Sequence, residues 1–95
     1  MDYSEILVEN LENIDVISAI DEIVQALARI KWCDDMCPPE FLVSLNNEDE
    51  DNQSIMITIN HLGSKFTEKL FPRKDMHYGY DSLMSQMINL YNQTM

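Results

Sequence analysis

The sequence predicts an α+β fold: two N-terminal helices, a small antiparallel sheet built from a hairpin and a third strand, and a C-terminal helix, with the helices on one face of the sheet. Three observations carry this. Apolar residues recur at helical spacing up to Lys31 and again after Gly79, they alternate at period two around residues 41–45 and 55–59, and Pro38-Pro39 stands between the first two regimes. Consecutive prolines remove two backbone donors and push Cys37 out of the helical region, so no helix runs through them.

The first helix is placed from about Tyr3, because Asp2 followed by Glu5 has the spacing of a capping box. Leu7, Leu11 and Ile14 share one of its faces, with Asp2, Glu5, Glu9 and Glu12 almost opposite. From Val16 the apolar stripe moves by about 160°, and Val16, Ile20, Ile23, Val24, Leu27 and Ile30 cluster instead. One straight helix cannot bury both stripes against one core. A break therefore falls near Asn13 to Asp15, with Asp15 or Asn13 capping a second helix that runs to about Lys31.

Beyond the prolines, Phe41, Val43 and Leu45 alternate with Leu42, Ser44 and Asn46, and Ile55, Ile57 and Ile59 alternate with Met56 and Thr58. This is a hairpin with an acidic tip, Asn46 through Asn52. His61-Leu62-Gly63-Ser64 reads as a turn. Lys65 to Phe71 fits a third strand or a short helix; Pro72 closes it, and Thr and Phe suit a pleated surface, which favours the strand. Gly79 and Asp81 announce the last helix, with Leu83, Met84, Met87, Ile88, Leu90 and Tyr91 on its apolar face.

With 95 residues, two glycines, three prolines and no repeat or linker, the chain is expected to be one domain, 1–95. An apolar fraction of 45% is too high for a disordered chain. Seventeen acids against six bases give a net charge of −11. That argues against direct binding to nucleic acid or to an anionic membrane, since like charge would meet phosphate. No apolar run is long enough for a membrane span, and Met1-Asp2-Tyr3-Ser4-Glu5 has neither a basic nor an apolar leader region, so a cytoplasmic location is expected. The charge is also uneven. Residues 1–28 hold seven acids and no base, residues 29–51 hold seven acids against Arg29 and Lys31, and residues 52–95 hold four bases against Glu68, Asp75 and Asp81. Such asymmetry points to a charged face rather than a uniform coat.

Little in the chain points to catalysis or to a cofactor. Cys33, Cys37, His61 and His77 supply four zinc-type donors, but the thiol spacing is wrong for a zinc knuckle; two unpaired, partly buried thiols are expected, with no metal and no disulfide. Asn47, Asp49 and Asp51 match the first three ligand positions of a calcium loop, yet Asn52 stands where the turn needs glycine and Thr58 where a bidentate glutamate belongs. No phosphate-binding, nucleophile-elbow or metalloprotease motif is present, and a cysteine paired with a histidine is the only nucleophile arrangement available. The chain is not expected to be an enzyme. Lys65, Lys69, Arg73 and Lys74, interleaved with Phe66, Phe71, His77, Tyr78 and Tyr80, resemble a single-strand-binding track, but against the net charge they read as core aromatics plus a contact to the acidic helices. Trp32 and the methionines Met84, Met87 and Met95 are assigned to packing.

The acids themselves are the strongest constellation. Asp2, Glu5, Glu9 and Glu12 repeat at three- and four-residue steps, which places carboxylates about 5–6 Å apart along one helix face. Glu48, Asp49, Glu50 and Asp51 form a second anionic patch at the hairpin tip, and Asp34, Asp35 and Glu40 are expected to join it. Like charges so placed weaken a helix slightly, and the alternative reading is a solvated face that keeps a small protein soluble. A rigid row of anions spaced much as phosphates are spaced can occupy a basic groove built for DNA or RNA.

In size, acidity and scarcity of glycine the chain resembles the small inhibitors that phages and mobile elements direct against host nucleases, including anti-CRISPR proteins and other DNA mimics. It is also similar to the immunity proteins that neutralise nuclease toxins. The resemblance is one of class and carries no residue correspondence. It implies a protein partner with a basic surface, a nucleic-acid enzyme, met by Asp2, Glu5, Glu9, Glu12 and Glu48 to Asp51. The competing expectation is a structural or adaptor domain that forms a homodimer through apolar faces, its acids serving only solvation.

Overall fold

The structure is a computed structural model and describes residues 14–46, 54–70 and 79–94. Its elements run α1 (Ile14–Lys31), β1 (Glu40–Asn46), β2 (Ser54–His61), β3 (Ser64–Leu70) and α2 (Tyr80–Gln93). The strands form one antiparallel sheet in the order β1-β2-β3. The α+β class and the third strand agree with the sequence reading. The helix count differs: among the described residues one helix precedes the sheet rather than two, and the helix expected from Tyr3 falls on residues outside that set.

α1 is helical from the first described residue, Ile14, so Asp15 sits within the helix rather than capping it, and the alternative cap, Asn13, lies outside the described residues. Ile20, Ile23 and Val24 are buried, and Val16, Ile17 and Leu27 pack partly against the core. Ile30 departs from expectation and is 71% exposed. It lies about 80° round the helix from Ile20, at the rim of the stripe, one residue before the end of α1. Trp32, which follows the last helical turn, is buried and stacks on Phe41 and Tyr91 with ring centroids 5.3 and 5.2 Å away.

Register follows the alternation. Phe41 pairs with Ile59, Val43 with Ile57 and Leu45 with Ile55, and across the other ladder Ile59 pairs with Phe66 and Ile55 with Leu70. These residues point to the helices, and the three isoleucines of β2 are fully buried. Each contributes about 2–3 kcal/mol by leaving water, which explains why the central strand is the most apolar. His61-Leu62-Gly63-Ser64 turns the chain in two residues, with φ of 52° at Leu62 and 86° at Gly63. Positive φ at both central positions is the hairpin turn whose twist suits antiparallel strands, and Gly63 adopts it without penalty. Leu62 does so at a cost.

Gly79 caps α2 with its backbone alone, its carbonyl accepting from the Leu83 N–H at 3.0 Å. Leu83, Met87 and Leu90 are fully buried between the sheet and α1, with Ile88 and Tyr91 packed partly beside them. One apolar cluster thus joins both helices to one sheet face.

Candidate protein-binding surface

Every residue assigned to partner binding lies outside the described residues: Asp2, Glu5, Glu9 and Glu12 precede α1, and Glu48, Asp49, Glu50 and Asp51 join β1 to β2. The calcium-like residues Asn47, Asp49 and Asp51 lie there too. What the structure places is the frame that carries them. α1 is described from Ile14 onward, β1 ends at Asn46 and β2 starts at Ser54.

The hairpin tip that Asp34, Asp35 and Glu40 were expected to join lies outside the described residues. Glu40 opens β1 and Asn46 ends it, a separation of about 20 Å along the strand. The three exposed acids stand at the corner between α1 and β1, beside Arg29 and Lys31 in the last helical turn, where the helix dipole favours cations. That corner is of mixed sign. An open cleft of about 830 Å³ runs through it, lined by Trp32, Pro38, Pro39, Phe41, Arg29 and Glu40. The Gln25 amide spans the junction and donates to the Phe41 carbonyl at 2.7 Å, holding α1 against the edge strand. Residue type and spacing give no hint of that bond, because Gln25 looks like any other solvent-facing helix position.

The basic and aromatic stretch is divided by the pleat. Lys65, Thr67 and Lys69 are exposed on the sheet face away from the helices, whereas Phe66 turns toward the core. Thr58 and Thr67 share a hydrogen bond at 3.0 Å in the middle of that outer face, and Leu42 beside them is 61% exposed. Lys65 and Lys69 therefore lie on the opposite side of β3 from the Phe66 ring. Phe71, Arg73, Lys74, His77 and Tyr78 are outside the described residues.

His61 and the cysteines also find different surroundings from those expected. The His61 ring is buried against Tyr91, centroids 5.0 Å apart, and its Nδ1 lies 2.9 Å from the Thr94 hydroxyl. Thr94 donates its one hydroxyl hydrogen to the Tyr91 carbonyl at 2.8 Å, so His61 Nδ1 carries a hydrogen and donates to Thr94. That ring clamps the hairpin turn to the end of α2. Cys33 and Cys37 are exposed rather than partly buried, since Trp32 turns inward and the chain after it bulges outward until Pro39 returns to the core. Among the described residues no three His, Cys, Asp or Glu side chains stand together as a metal cluster, and no helix is long and apolar enough to cross a membrane.

No protein-family model, curated protein or solved structure matches the chain.

Proposed function

We propose that this chain is a small acidic inhibitor that binds a protein partner and occludes its basic nucleic-acid-binding surface. The observation that carries the reading is the distribution of charge. The described residues hold eight acids and four bases, whereas residues 1–13 and 47–53 hold eight acids and no base. Eight of the seventeen acids thus fall in two stretches, twenty residues in all, that contain no base. Both adjoin the described elements away from the Trp32–Phe41 contact: Ile14 is about 27 Å along the helix from Trp32, and Asn46 about 17 Å along the strand from Phe41.

The partner is a nucleic-acid enzyme, of the kind met by phage inhibitors or by immunity proteins that silence a nuclease toxin, and the encounter is in the cytoplasm. Opposed charge of this size predicts fast association that slows steeply with salt. A displacement assay tests the occlusion: the partner is loaded with a labelled oligonucleotide and the protein is added. Release of the label supports the reading. A ternary complex that keeps the oligonucleotide bound overturns it.

A second reading is favoured by the outer sheet face, where Leu42 is exposed beside the Thr58–Thr67 pair. On that reading the chain is an adaptor that dimerises through apolar surface. Light scattering at low and high ionic strength separates the two, since an apolar dimer persists at both and a charge-driven contact loosens with salt.

A further inference from the structure

The segment between α1 and β1 carries chemistry that neither the core nor the acidic segments use. It is pinned at both ends by buried residues, Trp32 in its aromatic stack and Pro39 at the approach to β1. Residues 33–38 between them are all exposed. The loop starts with a tight turn, the Asp35 N–H donating to the Trp32 carbonyl at 3.2 Å, and Pro38 stiffens its exit. Three of its residues bear sulfur. Cys33 and Cys37 are free exposed thiols, and Met36 is 99% exposed, so it makes no contribution to packing.

Donor type and number decide which ligand suits such a loop. A structural zinc site needs four ligands, but among the described residues no three His, Cys, Asp or Glu side chains stand together, Asp34 and Asp35 of the loop included, and His61 is buried under Tyr91 and bonded to Thr94. Calcium and magnesium need oxygen cages. Thiolate and thioether together select a soft ion, and Cu(I) is satisfied by two or three such donors. Five residues held at both ends keep the sulfurs at high effective concentration, and because the loop is exposed its side chains can turn toward one ion without disturbing the core.

We propose that the loop from Cys33 to Cys37 is a soft-metal site that takes one Cu(I) ion through the thiolates of Cys33 and Cys37 and the thioether of Met36. Two S–H bonds are lost and two Cu–S bonds form at the thiolates, two protons pass to solvent, and the copper stays Cu(I) throughout. The site is independent of the acidic segments and of the partner they meet.

The test is an anaerobic titration of the reduced full chain with Cu(I) held by a competing chromophoric chelator, read from the chelator's absorbance and from thiolate-to-copper charge transfer in the ultraviolet. One copper per chain is expected. Cys33→Ser and Cys37→Ser each lower the affinity by about a hundredfold or more, and Met36→Leu, which keeps the size of the side chain, lowers it by about tenfold, all with unchanged far-ultraviolet circular dichroism. Unaltered affinity in Met36→Leu, retention of copper by the double cysteine variant, or uptake without a one-to-one endpoint overturns the proposal.

Discussion

The two halves of this molecule's chemistry are carried by different residues. The described scaffold puts its apolar residues into a single cluster and keeps its acids and bases within a factor of two of each other. Residues 1–13 and 47–53 contain twenty positions, eight of them acidic and none basic. The described residues carry the packed core, and the two stretches carry nearly half of the acids. Stability and partner binding should therefore respond to different substitutions.

The largest effect is expected in the scaffold. Ile57 is fully buried in the central strand, opposite Val43 and Glu68. Ile57→Ala should cost about 3–4 kcal/mol of unfolding free energy, read from urea denaturation, while the fraction that remains folded still binds the partner. Loss of partner binding in that folded fraction would show that scaffold and charge are coupled.

Next in size is the converse experiment. Replacing Glu5, Glu9 and Glu12 together with Gln should reduce the association rate with the partner by about tenfold or more at low salt, and flatten its salt dependence. Stability should stay within about 0.5 kcal/mol or rise slightly, because like charges at helical spacing no longer repel.

Two smaller effects probe the sheet. Leu62 holds φ at 52° next to Gly63 in the tight turn. Leu62→Asn, which supplies the residue such a turn prefers, should raise stability by about 1 kcal/mol and remove an exposed apolar side chain. Ser54 is fully buried, and its hydroxyl has no hydrogen-bond partner among the described residues. Ser54→Ala should therefore leave stability unchanged or raise it by about 1 kcal/mol in the same denaturation assay. A marked loss would mean that the hydroxyl is bonded at the entrance to β2.

Much of the scaffold was legible because its signals are local. Alternation in β1 and β2 fixed which side chains face the helices, Gly63 marked the turn, and the helical spacing of Leu83, Met87 and Leu90 marked α2. The residues misread lie where one element hands over to the next. Ile30 continues a helical period, but it lies at the rim of the buried stripe and stays exposed, whereas Trp32, just past the end of α1, is buried against Phe41. Cys33 and Cys37 were expected to be partly buried because small apolar residues usually are, and no periodicity describes the loop that exposes them. The bonds from Gln25 to Phe41 and from His61 to Thr94 link residues 16 and 33 positions apart, which spacing alone cannot anticipate. Of the candidate site, only the grouping of acids along the sequence is legible, because Asp2, Glu5, Glu9, Glu12 and Glu48 to Asp51 lie outside the described residues.

The central claim is that the acidic segments, and not the apolar scaffold, select the partner. The most direct measurement is parallel capture from native host lysate with the wild-type chain and with a variant in which Glu5, Glu9, Glu12, Glu48, Asp49, Glu50 and Asp51 are neutralised, eluted by a salt gradient and read by mass spectrometry. The account predicts that a nucleic-acid-binding protein is retained by the wild type, leaves as salt rises, and is absent from the variant. The same proteins on both baits, or partners that resist salt, would contradict it and move the binding surface to the apolar faces.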